Sequence, residues 1–129
     1  MVIDTSCLIA IFLHEPERQA FLDLILAAHA RRISAASVLE SGMVIEARRG
    51  EIGSRELDLF LSRLQFEIVP VDAEQVEVAR MGWRKFGKGN HPASLNFGDC
   101  FAYALAKITG EPLLFKGDDF KNTDIVSAL

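Results

Sequence analysis

The chain has 129 residues, half of them hydrophobic and 25% charged. That suffices for one domain with a real core and excludes a disordered, highly charged segment. The formal net charge of −4 excludes global attraction to nucleic acid, so a polyanion partner needs a local basic patch or a metal that masks acids.

In chain order, Met1 to Asp4 reads as a short buried strand, followed by a helix through Phe12 that Thr5 or Ser6 could cap. Pro16 fits the first turn of another helix, with Phe21, Leu22, Ile25 and Leu26 at core-facing spacing. Arg31 to Ala35 reads as a strand, and Ser37 as the start of a helix ending near Gly50. A further helix is expected from Ser54 to Leu64, its apolar stripe being Leu57, Phe60, Leu61 and Leu64. That stripe is also a candidate contact surface for a partner.

Phe66 to Val71 reads as a strand, and Asp72 can cap a helix carrying Val76, Ala79 and Trp83. An irregular loop with Gly87, Gly89, Asn90 and Pro92 leads into a helix that begins at Asn96 or Gly98 and stops at Gly110. Pro112 to Phe115 is a strand, Gly117 starts a turn, and Ile125 to Val126 adds a last short strand. Strands alternating with helices indicate an α/β fold with a parallel sheet. In such sheets ligands bind outside the carboxyl ends of the strands, which places Asp4 and the turn after Phe115 on one functional edge.

Three long apolar stretches each hold one charged group, a carboxylate: Asp4 within MVIDTSCLIAIFL, Glu40 within ISAASVLESGMVI and Asp99 within PASLNFGDCFAYALA. A carboxylate in apolar surroundings is destabilising unless compensated. Three of them point to a shared compensator, a divalent cation held by oxygen ligands, with Mg²⁺ or Mn²⁺ suited to such hard donors. Structural roles compete: helix capping for Asp4, a capping box Ser37-Val38-Leu39-Glu40 for Glu40, and helix-dipole interaction for Asp99. Asp118 and Asp119 in the turn after Gly117 offer a fourth acid; Asp118 is favoured, with Asp119 the alternative.

Between Val78 and Gly98 lie four cations, Arg80, Arg84, Lys85 and Lys88, and no acids. Such a basic rim running into Asp99 can hold a polyanion backbone, with Arg84, Lys85 and Lys88 as the candidate contacts; a solvated helix face is the plain alternative. Trp83 and Phe86 interleave these charges as stacking or core residues. Cys7 and Cys100, the only cysteines, form no CxxC pair and read as core residues, and His14 and His29 lack partners at ligand spacing. No apolar run reaches the roughly 18 to 20 residues of a membrane span, and a signal peptide is not recognisable. A soluble, cytoplasmic protein with reduced thiols is expected.

MVIDTS, Glu40 after a short strand, GKGNHPASLNFGDCFAYALAK and LLFKGDDFKNTDI together resemble the PIN-domain ribonucleases of the VapC toxin type, over essentially the whole chain. The resemblance implies one PIN domain over residues 1–129, an α/β/α sandwich with about five parallel strands, and Mg²⁺- or Mn²⁺-dependent endonucleolytic cleavage of RNA. It also implies a homodimer and a VapB-type antitoxin partner. The family's acids fall on Asp4, Glu40 and Asp99 and on either Asp118 or Asp119, with Ser6 as the small hydroxyl residue that supports the first acid. Asp4 and Asp99 are then the direct metal ligands, and Glu40 and Asp118 assist through water, a second ion or as a base. A phosphatase with an Asp nucleophile is disfavoured because Ser6 stands where a second Asp is needed. A catalytically silent module binding RNA or protein is the alternative from another class.

Overall fold

Short apolar strands in a parallel sheet bury both faces, so successive residues must meet different layers. A computed structural model describes residues 1–129 and shows this alternation directly. In β1 (Val2–Ile3) and β4 (Leu113–Leu114), Ile3 and Leu114 join one core cluster, while Val2 and Leu113 join the other. The first cluster is completed by α1 (Thr5–Phe12), α2 (Arg18–Ala27), Ile33 of β2 (Arg32–Ser34) and α3 (Ala35–Arg63). The second is completed by α4 (Ala73–Phe86) and α5 (Phe97–Thr109). β3 (Glu67–Val69) precedes α4. The result is the expected α/β/α sandwich.

The sheet has four parallel strands in the order β3-β2-β1-β4, not about five. The segment read as a last strand, Ile125 to Val126, is no strand; one parallel bridge, Leu113 to Ser127, forms just beyond it. Two backbone bonds hold it, from Leu113 to Val126 and from Ala128 to Leu113, each 2.9 Å. Too few residues pair there to make a strand. From β1 the chain proceeds outward through β2 and β3, then returns to place β4 on the other side of β1. The strand order therefore reverses between β1 and β4, which opens a crevice at their carboxyl ends.

The two helices expected from Ser37 to Gly50 and from Ser54 to Leu64 are arms of α3, broken only at Gly50. Gly50 has φ +64° and ψ −160°, a conformation natural to glycine alone. Of the stripe on the second arm, Leu57 and Leu61 are core residues and Phe60 and Leu64 pack against them, so it is not a free partner surface. In α4, Gln75 and Gly82 are buried, whereas Val76 and Trp83 are exposed. No helix is long and apolar enough to cross a membrane.

Candidate active site

Asp4 follows β1 directly and is the N-cap of α1, its backbone extended and its carboxylate accepting from the Ser6 N–H. Capping thus falls to Asp4, not to Thr5 or Ser6, because Asp4 is the last residue with extended backbone before the helix. The Ser6 hydroxyl donates to the same oxygen, Oδ2, at 2.6 Å, and accepts from the Lys116 N–H at 2.9 Å. One serine therefore ties Asp4 to the chain leaving β4. Asp4 is 5% exposed, and burial pushes its carboxyl above the ordinary value; the two Ser6 bonds oppose that shift, and the charge of Glu40 adds to it.

Asp99 lies in the first turn of α5, half-buried. Its Oδ2 accepts from the Asn96 N–H at 3.0 Å, and the Asn96 side chain accepts from the Asp99 N–H at 2.9 Å. The capping box of this fold is therefore Asn96–Asp99, a pair legible as Asn-x-x-Asp but not read from the sequence. Burial pushes Asp99 up to about 7; the Asn96 N–H opposes the shift, and the charges of Asp4, Asp119 and Glu40 reinforce it.

Glu40 plays no capping part. Ser34 caps α3 through Ala36, so the cap lies three residues ahead of Ser37 and the helix begins at Ala35. Glu40 is exposed rather than embedded, because its apolar neighbours Leu39 and Met43 are themselves 66% and 64% exposed. Its carboxylate lies against Gly98: a Cβ built there would stand 2.5 Å from Oε2. The two acids of the turn separate. Asp118 pairs with Lys121 at 2.7 Å and its side chain is 82% exposed, whereas Asp119 is the one whose charge bears on Asp99.

None of Asp4, Glu40, Asp99 and Asp119 is paired with a lysine or arginine. Lys116 is adjacent in the chain but is held by Glu15 and Glu17. No three of the carboxylates stand close enough to share one ion as they lie, in keeping with the mutual repulsion of like charges. Carboxylates without a cationic partner, with Asp4 and Asp99 held above the ordinary range by burial, form a hard-oxygen donor set that fits a divalent cation.

Arg84, Lys85 and Lys88 are all exposed, and none is in an ion pair. Arg84 alone of the three lines a groove shared with the start of α5, of about 440 Å³, opposite Phe97, Cys100 and Phe101. Phe97 and Phe101 also border a second groove with Glu40 and Gly98. Trp83 lies on the wall of the first groove, 47% exposed, while Phe86 packs against Tyr103.

The PIN domain family model matches residues 1–126. The chain belongs to the PIN-domain family. Within that family it is similar to Ribonuclease VapC30 of Mycobacterium tuberculosis, 54% identical over 127 residues, which cover 98% of this chain and 97% of the relative. Among solved structures it resembles M. tuberculosis VapC20, a toxin described as cleaving the sarcin–ricin loop. That match has a TM-score of 0.81 at 15% identity and covers 98% of this chain and 97% of that one. It also resembles VapBC2 from Rickettsia felis bound to a promoter DNA fragment, with a TM-score of 0.76 at 17% identity, covering 98% and 94%.

Proposed function

We propose that this chain is an Mg²⁺- or Mn²⁺-dependent endoribonuclease and the toxin of a pair whose other member is a VapB-type antitoxin. The observation that carries the reading is the gathering of Asp4, Glu40, Asp99 and Asp119 around the crevice beyond β1 and β4 without a cationic side chain. The ribonuclease name of VapC30 supports RNA as substrate, and a solved toxin–antitoxin complex from Klebsiella pneumoniae with a similar fold supports an antitoxin as partner. Action on cellular RNA is in keeping with a cytoplasmic setting.

Asp4 and Asp99 would hold the cation directly. The hydrogen bonds from Ser6 and Asn96 fall on Oδ2 of each, so neither of these partners engages Oδ1. Glu40 and Asp119 complete the acidic wall, with Asp119 preferred to Asp118 because Lys121 engages the latter. When bound, the cation supplies positive charge beside the scissile phosphate and lowers the pKa of a water. Ser6 keeps the Asp4 carboxylate in one orientation. Glu40, solvent-exposed and against α5, can accept a proton from an attacking water. Arg84 meets backbone phosphate from its groove wall, and Lys85 and Lys88 add attraction that weakens with salt. The exposed Leu39, Met43 and Phe97, the last 81% exposed, are the apolar surface open to a homodimer contact.

The test is incubation of purified protein with RNA, with Mg²⁺ or Mn²⁺ and with chelator. Chelation should abolish cleavage, and Asp99→Asn should slow it by roughly 10²-fold or more. Cleavage by Asp99→Asn at the wild-type rate would sink the assignment.

A further inference from the structure

We propose that Gly98 is a positioning residue: its missing side chain lets the Glu40 carboxylate lie against the first turn of α5, beside the residue that precedes Asp99. This rests on the ribonuclease reading above. Gly98 occupies the second position of α5 and has no positive φ, so nothing in its backbone requires glycine. Glycine is the poorest helix former after proline, which makes its presence there a local conflict between sequence and structure.

The surroundings resolve the conflict. A Cβ at position 98 would stand 2.5 Å from Glu40 Oε2, 2.8 Å from Oε1 and 3.0 Å from Cδ. All three nearest atoms belong to that one carboxyl group, and none to backbone. Other crowded glycines meet structural atoms instead: Gly53 meets Arg49 and Ile45 of its own helix, and Gly82 meets the Tyr103 ring. Only Gly98 makes room for a candidate site acid, and Asp99 is the next residue. A methyl group here would drive the Glu40 carboxylate back on the order of 1 Å, a displacement large enough to spoil a catalytic arrangement. The rest of the fold would not notice, since the end of a flexible exposed side chain can move.

The experiment is a double-mutant cycle on metal-free protein, comparing wild type, Gly98→Ala, Glu40→Ala and the double variant. Mn²⁺ affinity is read by calorimetry, alongside RNA cleavage and thermal unfolding. Gly98→Ala should weaken Mn²⁺ binding and slow cleavage by at least about tenfold, the scale seen when a supporting partner of a metal ligand is lost. Its unfolding temperature without metal should equal or exceed that of wild type. In the Glu40→Ala background, Gly98→Ala should change Mn²⁺ affinity no further.

Wild-type affinity and rate in Gly98→Ala would overturn the proposal and leave the ribonuclease reading standing. An equal loss in the Glu40→Ala background would also overturn it, because the effect would not pass through Glu40. So would failure of Gly98→Ala to fold, since packing would then be what excludes a methyl group. A wild-type protein that neither binds Mn²⁺ nor cleaves RNA would instead overturn the ribonuclease reading, and this proposal with it.

Discussion

Asp4 and Asp99 bind protons more tightly than free carboxylates do because burial withholds the water that would solvate their charge. The consequence for stability has a definite sign. Asp99 titrates near 7 in the folded chain and from an ordinary 3.8 when unfolded. Between those values the folded state holds more protons, so stability falls as pH rises through that window. Metal-free protein should therefore melt at a higher temperature at pH 5 than at pH 8, and Asp99→Asn should flatten that slope. Calorimetric scans across the window check this; a melting temperature that climbs from pH 5 to 8 would contradict it. The same residues show how far sequence context reaches. An apolar neighbourhood along the chain correctly foretold the burial of Asp4, half foretold that of Asp99 and misled for Glu40. Leu39 and Met43 flank Glu40 in sequence, yet they stand on the open side of α3.

Helix ends were legible where a side chain closes them locally, and not where a distant residue does. Asp72 caps α4 as expected, and Gly110 ends α5 with φ +69°. The ends of α2 and α3 are closed from outside by Arg31. Its guanidinium donates to the carbonyls of Ile25 at 2.6 Å, Leu26 at 3.0 Å and Leu64 at 3.1 Å. No spacing rule links residue 31 to residue 64. Arg31→Met should lower stability by roughly 1.5 to 3 kcal/mol, the scale of lost hydrogen bonds to a charged group, as measured by urea unfolding. The contact of α4 with α5 depends on Gly82, where a Cβ would run into the Tyr103 ring. Tyr103 is pinned by a 2.9 Å bond from its hydroxyl to Asp124, so it has little freedom to retreat. Gly82→Ala should cost about 1 to 3 kcal/mol by overpacking, readable in the same unfolding experiment.

At the scale of the molecule, the strand reversal between β1 and β4 brings residues 4, 99 and 119 to one crevice, and under the function proposed above a cation bound there would stabilise the fold as well as serve the reaction. A ligand that binds only the folded state stabilises it, by about 2.7 kcal/mol at a hundred times its dissociation constant. Mn²⁺ should accordingly raise the melting temperature of the wild type and leave Asp4→Asn nearly unmoved; an equal rise in both would place the ion elsewhere. The alternation of apolar strands with amphipathic helices sufficed by itself for the α/β class, the parallel sheet and the edge on which Asp4 lies, because these follow from burial patterns read along the chain. The isolated acids and the basic window were likewise visible as residues. Tertiary structure alone shows that Asp118 pairs with Lys121 while the charge of Asp119 bears on Asp99, that Ser6 joins Asp4 to Lys116, that Glu40 rests on Gly98 and that the last segment makes a bridge instead of a fifth strand. Each is a contact between residues far apart in the chain or a choice between neighbours in one turn, and local periodicity carries no information on which distant atoms a side chain will meet.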